Sequence, residues 1–392
     1  MIGVHEAKKL IFDNCPSTKV EKMSLNKANG LILAEPVYSP IDTPPFNQSA
    51  MDGYAFSLDD WDGKSDLFLS GEVQTGSYFT GSLKPLNALR IFTGAALPPG
   101  ADTVVIQENV TKDGNLISIK DEKLMRGSNV RLKGSQTRKG ELVLNEGHLF
   151  TPASVSFLAG LGIDTVKVYS NPSISVITTG KELIKPGEEL SQGKVYESNS
   201  YGLNAGLAHM NISPVAIEMV DDDEEAIITA IKKHLRNVDI LVLTGGVSVG
   251  DYDFVTTALE KCGVKKVFHK VKQKPGKPFY FGVHQQTLVF GLPGNPASVL
   301  TCFYEYVAEA ITCFTKKEYF KKIQLPMAND YSKKAGLTFF LKGKTDGNTV
   351  VALNEQESYK LNSFAEADCI IELEEEKEYF KKGDLAIVRM II

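Results

Sequence analysis

Between residues 171 and 315 the chain alternates short apolar runs with amphipathic ones, and this rhythm limits the possible folds more than any other feature. "SISVITTG", "SPVAIEMV", "VDILVLTGG", "VKKVFHKV" and "TLVFG" read as strands. "NSYGLNAGLAHM", "DDEEAIITAIKKHLRN", "DYDFVTTALEKCG" and "NPASVLTCFYEYVAEAITCF" read as helices. The second of these helices carries its acids in the first turn, where they suit the helix dipole. The last opens with asparagine and proline, a good helix start. Strands and helices alternating in this way predict a parallel sheet with helices on both faces.

The flanks read differently. Residues 1–40 contain an amphipathic helix, a polar helix-turn segment and a strand, "GLILAEPVYSP". From 41 to 142, short apolar runs such as "LRIFTG", "ADTVVIQENV" and "LISIK" are broken by glycine, proline and asparagine, which predicts a β-rich domain. "TPASVSFLAGLGIDTVKVY" then reads as a short apolar helix followed by a strand. The tail from about 320 alternates apolar and polar residues without helix signals in "IQLPMA", "LTFFLKG", "NTVVALN", "CIIELE" and "LAIVRMII". It reads as a small β-barrel or sandwich.

Composition excludes several classes. A net charge of -5 over 392 residues leaves no field over the whole molecule to attract nucleic acid, so an anion site must be built locally. No apolar run approaches the ~20 residues needed to cross a bilayer, and the start lacks the apolar stretch of a secretory signal. The five cysteines are odd in number and none are spaced CxxC, which argues against a disulfide framework or a structural zinc site and for a reducing cytoplasm.

In an open parallel α/β sheet, ligands bind beyond the carboxyl ends of the strands. There the sequence places Thr178 to Glu182, then Asp221, Asp222 and Asp223, then "TGGVSVGDYD" with Gly245, Gly246, Ser248 and Asp253. The fourth strand runs into "QKPGKPFYFG", where Lys270, Lys272, Lys274 and Lys277 crowd a stiff Pro-Gly turn. The fifth ends in "GLPGNPAS", with Pro293, Asn295, Pro296 and Ser298. Glycine allows backbone N–H groups close to a ligand, lysine adds positive charge, and a helix opening at Asn295–Pro296 would offer free N–H groups to an anion. Acids among lysines suit a divalent cation shared with phosphates. Each loop alone has a plain structural reading: a strand-to-helix turn, a solvated helix start, a tight turn. Their convergence on one rim points to a phosphorylated or nucleotide-bearing ligand. Neither a GxxxxGK[ST] loop nor GxGxxG is present. A second cluster holds Asp52 in "SAMDGYA" and Thr93 in "RIFTGAALPPG"; both stretches also read as turns, since Asp-Gly is a hairpin signal.

"SAMDGYA", "TGAALPPGADTVV", "TTGKEL", "TGGVSVGDYDF", "KPGKPFYFG" and "GLPGNPAS" follow the order and spacing of the molybdopterin molybdotransferases. Over nearly its whole length the chain resembles this family, the MoeA family, which includes the gephyrin E domain. The resemblance implies a homodimer of four-domain subunits. Domain I would be discontinuous (1–40 and 143–168), domain II the β-rich insert (41–142), domain III the α/β domain (169–318) and domain IV a β-barrel (319–392). It implies insertion of molybdate into adenylylated molybdopterin with release of AMP, aided by Mg2+. The expected partners are the adenylyltransferase that makes the substrate and downstream cofactor-handling proteins, with no nucleic acid and no membrane.

Position by position, the resemblance makes Asp52, Thr93, Glu182, Asp222 and Asp253 the catalytic set, with Asp52, Glu182 and Asp222 as metal ligands. It makes Gly245, Gly246, Ser248, Lys270, Lys274, Lys277, Pro293, Asn295, Pro296 and Ser298 substrate-binding. Lys342 falls where an arginine for molybdate is usual, and Ser358 near a family serine. The chain departs from the family at Ser135–Gln136, where "GED" is usual, at Lys181 in place of the aspartate of "TGDEL", and at Glu197 in place of the aspartate of "YDxN". Competing readings are the adenylyltransferase, whose chain is shorter with a "GGTG" loop, and a non-catalytic carrier or scaffold, which would not need the acids.

Overall fold

The computed structural model describes residues 1–247 and 254–392. These form two compact units, residues 22–168 and residues 1–21 with 169–392. Helix α1 (Val4–Asp13) belongs to the second unit. Its stripe of Val4, Ala7 and Ile11 is buried in the core of the α/β sheet described below, so the first 21 residues are drawn away from the rest of the 1–40 segment.

Residues 22–168 are built on a six-stranded sheet: β1 (Gly53–Phe56), β2 (Leu67–Val73), β3 (Asn87–Ile91), β4 (Thr103–Ile106), β5 (Val110–Asp113) and β6 (Leu116–Ile119), in the order β4-β1-β3-β2-β6-β5. Side chains alternate across it, so Ala55 and Val104 enter one apolar cluster while Phe56 and Val105 enter another on the opposite face. Helix α2 (Pro152–Gly160) opens with a capping box between Thr151 and Ser154 and with proline in its first turn. Its Leu158 shares a third cluster with Leu25, Leu33, Phe150 and Val166.

The α/β part of the other unit contains β7 (Ile174–Thr179), α3 (Asn199–His209), β8 (Ala216–Val220), α4 (Glu224–Leu235), β9 (Ile240–Thr244), α5 (Phe254–Lys261) and β10 (Lys265–His269). It continues with β11 (Gln273–Lys274), β12 (Tyr280–His284), β13 (Thr287–Leu292), α6 (Pro296–Cys302), a π-helical turn (Phe303–Val307) and α7 (Ala308–Thr315). The sheet order is β8-β7-β9-β13-β12-β10. Val176, Val242 and Phe290 face α3 and α6 on one side, while Ile177, Leu243 and Val289 face α4 and α5 on the other.

The expectation of an all-parallel sheet is corrected. β8, β7, β9 and β13 are parallel, but β12 runs antiparallel to both β13 and β10. A parallel return needs a crossover of a dozen or more residues, usually helical. Only the lysine turn separates β10 from β12, and Gln285 and Gln286 alone separate β12 from β13, so the chain must reverse twice. β10 consequently points the same way as the four parallel strands, which brings its carboxyl end, and the lysine turn, to their rim.

The C-terminal strands are β14 (Lys322–Pro326), β15 (Thr338–Thr345), β16 (Val350–Ala352), β17 (Cys369–Leu373) and β18 (Leu385–Met390). A five-residue helix, α8 (Asn362–Glu366), interrupts a tail read as free of helix. The sheet order is β11-β15-β17-β18-β14, with β16 also on β15. Its first strand comes from the lysine turn: Gln273 pairs with Thr338 and Lys274 with Phe339. Along β15 and β17, Leu341 and Ile371 fill the sheet's own core while Phe340 and Ile370 join the α/β core. Buried charges reinforce that junction. Arg389 of β18 donates to Glu305 of the π-helical turn at 2.7 Å, and Lys8 of α1 reaches the same carboxylate at 2.6 Å.

Candidate functional site

The rim of the α/β sheet is built by register. Thr179 pairs with Val220, Thr178 with Thr244, and Thr244 with Leu292, so the loops leaving β7, β8, β9 and β13 emerge side by side. The loops after β9 and β13 touch through backbone. A Cβ on Gly245 (φ +88°) would lie 2.4 Å from the Thr179 carbonyl oxygen, and one on Gly294 would lie 3.9 Å from Gly245 Cα. Gly246 (φ +58°) is equally constrained, since a Cβ there would meet Val255 at 2.7 Å. Ser248 and Asp253 lie outside the described residues.

Glu182 is exposed, and its carboxylate stands over Gly180, where a Cβ would lie 2.8 Å from Oε1. Asp222 is half-buried directly after β8. Asp223 is the N-cap of α4, accepting the Ala226 N–H at 3.0 Å. Lys181 is exposed beside Glu182. Glu197 is buried and takes the Ser200 N–H at 2.8 Å and its hydroxyl at 2.5 Å, which makes it a brace for the start of α3.

The lysine turn is held from inside by Gln273, which is not among the expected site residues. Its side chain is fully buried and donates to the carbonyls of Pro275 (3.0 Å) and Gly276 (3.1 Å), while its Oε1 accepts the Tyr306 hydroxyl. Gly276 (φ +83°) leaves room for this: a Cβ there would lie 2.7 Å from Cys302 Sγ and 2.9 Å from Gln273 Nε2. No spacing in the sequence marks Gln273; the only signal is an uncharged polar residue between Lys272 and Lys274 at the start of the turn. The four lysines are not equivalent. Lys272 is paired with Glu375 at 2.7 Å, and that contact raises its pKa. Lys270, Lys274 and Lys277 have no acid partner among the described residues. Lys274 lies over the Phe339 ring, 5.2 Å from its centroid.

Two expectations are corrected. The first turn of α6 does not offer free N–H groups to an anion. Pro296 has none, the Ala297 N–H donates to the Ser358 carbonyl at 3.1 Å, and the Ser298 N–H to the Asn295 carbonyl at 3.0 Å. Pro293 and Ser298 are buried, while Asn295 is exposed and donates through Nδ2 to Ser358 Oγ at 3.0 Å. Lys342, read as a molybdate ligand, is buried, and its ammonium is occupied by the carbonyls of Glu355 (2.7 Å), Glu357 (3.3 Å) and Lys360 (3.1 Å). An ammonium has only three donors, so none remains for an anion.

In the unit 22–168, β1 and β3 are antiparallel neighbours, with Gly53 opposite Ile91. Asp52 precedes one and Thr93 follows the other, so they meet at one sheet end. The Thr93 N–H and hydroxyl both donate to Asp52 Oδ1 at 2.7 Å. These bonds, the N–H foremost, hold the carboxyl below the usual aspartate range, with Arg90 adding to the effect. The Asp-Gly pair is not a hairpin turn. Gly53 starts β1, and a Cβ there would lie 2.0 Å from the Val105 carbonyl oxygen. Gln136, at the "GSQ" departure, donates its N–H to the Thr43 carbonyl at 2.9 Å.

Comparison with known proteins covers the chain. Three family descriptions match: the MoeA N-terminal region (domain I and II) over residues 2–162, a probable molybdopterin binding domain over 175–312, and the MoeA C-terminal region (domain IV) over 324–389. The chain is 33% identical to the molybdopterin molybdenumtransferase of Haemophilus influenzae, over 99% of this chain and 98% of the relative. It is 30% identical to that of Staphylococcus aureus, over 97% and 94%. A crystal structure of the molybdopterin biosynthesis MoeA protein from Pyrococcus horikosii superposes with a TM-score of 0.86 at 29% identity, over 100% of this chain and 99% of that one. With near-complete coverage of both partners and all three family regions in order, the chain belongs to the MoeA family.

Proposed function

We propose that this chain is a molybdopterin molybdenumtransferase, an enzyme of molybdenum cofactor biosynthesis that inserts molybdate into adenylylated molybdopterin and releases AMP. Full-length relatives named for that activity support the reading. The observation that carries it is the lysine turn. Lys272 has an acid of its own, whereas Lys270, Lys274 and Lys277 crowd the rim without one among the described residues. A cluster of unneutralised cations on a braced turn suits a doubly anionic substrate, the pyrophosphate of the adenylylated pterin together with molybdate.

In this reading Lys270, Lys274 and Lys277 bind the anions as point charges. Gly245 and Gly246 let backbone approach the pterin phosphate, and Pro293, Asn295, Pro296, Ser298 and Ser358 shape the neighbouring wall. Glu182 and Asp222, on loops from adjacent strands, are the carboxylates that orient the attacking water or hold a cation. Asp52, whose charged form Thr93 stabilises, is assigned to catalysis by resemblance alone. Asp253 and Ser248 complete the set by resemblance alone. The described residues contain no group of three or more acids, histidines or cysteines, so the expected Asp52, Glu182 and Asp222 ligand set is not gathered there. Magnesium usually takes one or two carboxylates plus substrate oxygens, which makes Glu182 and Asp222 the pair proposed to hold it. When bound by Glu182 and Asp222, it would offset phosphate charge. A homodimer, the four-domain division with a closed barrel as domain IV, a cytoplasmic site of action, and handover from the adenylyltransferase to later cofactor-handling proteins belong to the same proposal. No described helix is long and apolar enough to cross a membrane.

The test is turnover of purified adenylylated molybdopterin with molybdate, following AMP. Molybdate-dependent AMP release is expected. ATP consumption with free molybdopterin would instead assign the adenylyltransferase step, and tight pterin binding without any AMP would make the chain a carrier.

A further inference from the structure

Lys342 sits mid-strand in β15, 3% exposed, and forms no ion pair among the described residues. Its backbone is bracketed by one side chain: the Lys342 N–H donates to Gln356 Oε1 at 2.9 Å, and Gln356 Nε2 donates back to the Lys342 carbonyl at 2.9 Å. Its ammonium gathers the three carbonyls of Glu355, Glu357 and Lys360. Segment 355–360 is thereby fastened to β15. The same segment presents Ser358, whose carbonyl accepts the Ala297 N–H at 3.1 Å and whose hydroxyl accepts Asn295 Nδ2 at 3.0 Å. Asn295 and Ala297 open α6 directly after β13, and Gly294 beside them packs on Gly245 of the neighbouring rim loop. Segment 355–360 thus links a buried lysine, by hydrogen bonds on both sides, to the first turn of α6.

We propose that Lys342 is a positioning residue for the "GLPGNPAS" loop: by holding segment 355–360 against the first turn of α6, it fixes through Ser358 where Pro293 to Ser298 meet the substrate. What that loop binds rests on the functional reading above; the clamp itself does not.

The test is hydrogen exchange by mass spectrometry, with no substrate present, on the unmodified protein and on Lys342→Met. Methionine keeps the apolar length and removes the ammonium from all three carbonyls, although the Glu355 carbonyl keeps the Ser363 hydroxyl at 2.8 Å and the Glu357 carbonyl the Lys360 N–H at 3.2 Å. Exchange in the peptide 294–300 is expected to quicken by roughly tenfold or more. In turnover assays kcat/KM should fall about tenfold, mostly through KM. The loss should be less than additive with Asn295→Ala, because both act on the same contact. Unchanged exchange at 294–300 overturns the proposal. If molybdate affinity nonetheless weakens, Lys342 is an anion ligand; if nothing changes, the clamp is idle. A chain that releases no AMP defeats the functional reading and leaves the exchange result standing. If Lys342→Met does not fold by circular dichroism, Lys342→Gln, which offers two amide donors on a shorter side chain in place of three ammonium donors, carries the same expectation and the same refutation.

Discussion

Thr93 gives both its main-chain N–H and its hydroxyl to a single oxygen of Asp52, each at 2.7 Å, across the end of the β1/β3 pair. Two donors on Oδ1 stabilise the charged form of the carboxylate. They also fix the side chain of an exposed residue that would otherwise sample several rotamers.

Replacing Thr93 with valine removes the hydroxyl donor and keeps the shape. The Asp52 titration midpoint should rise toward the ordinary aspartate value of about 3.9. Carboxyl carbon chemical shifts followed through an acid titration would show it. A midpoint that stays where it was would mean the hydroxyl does not stabilise the carboxylate.

The lysines of the turn should separate by their partners. Lys274→Met keeps contact with the Phe339 ring but loses the charge, and should weaken binding of adenylylated molybdopterin by roughly ten- to a hundredfold. The loss should shrink as salt rises. Lys272→Met, whose ammonium is already engaged by Glu375, should have a much smaller effect on affinity. Calorimetry at low and high salt decides, and equal losses at the two positions would undo the distinction.

Glu305 predicts an acid transition. Burial would push its carboxyl up, but Lys8 and Arg389 outweigh burial and hold it at about 2, below its unfolded value of 4.5. A depressed folded pKa contributes stability that is complete above about 4.5 and lost as pH falls toward 2. Glu305→Gln should flatten that dependence. It should also destabilise the protein near neutral pH by about 3–5 kcal/mol, since Arg389 and Lys8 lose their shared buried counter-ion. Denaturation midpoints measured from pH 7 down to 3 would show a steep acid loss in the parent and a shallow one in the variant.

Gly53→Ala places a methyl 2.0 Å from the Val105 carbonyl and should destabilise by about 1–3 kcal/mol or more. Gly160→Ala is the control. Apart from its chain neighbours and its own helix backbone, no atom of the described residues lies within 4 Å of its Cβ position at the end of α2, and alanine there should be neutral or gain up to about 1 kcal/mol. Urea denaturation of the two variants should give opposite signs; a neutral Gly53→Ala would mean that β4 yields to the methyl.

Local pattern was enough for what depends on local pattern. The strands β7, β9 and β13 are buried along their whole length and built around apolar residues, and α4 carries an acid-rich start and an apolar stripe, so burial and dipole write both into the chain. The rim followed from the same alternation, because the carboxyl ends of parallel strands must share an edge. Tertiary structure decided the rest. The strand Tyr280–His284 is masked by the proline and glycine of the turn that feeds it, and its direction is set by the short connections on either side. Gln273 and Lys274 become a strand only because Thr338 and Phe339, more than sixty residues later, supply the partner. Lys342 looks like any lysine in an alternating strand, and Asn295–Pro296 like an open helix start. Three carbonyls of segment 355–360 close the first, and the Ser358 carbonyl closes the second. A hydrogen bond between distant segments leaves no period in sequence, since it depends on where folding brings two backbones together.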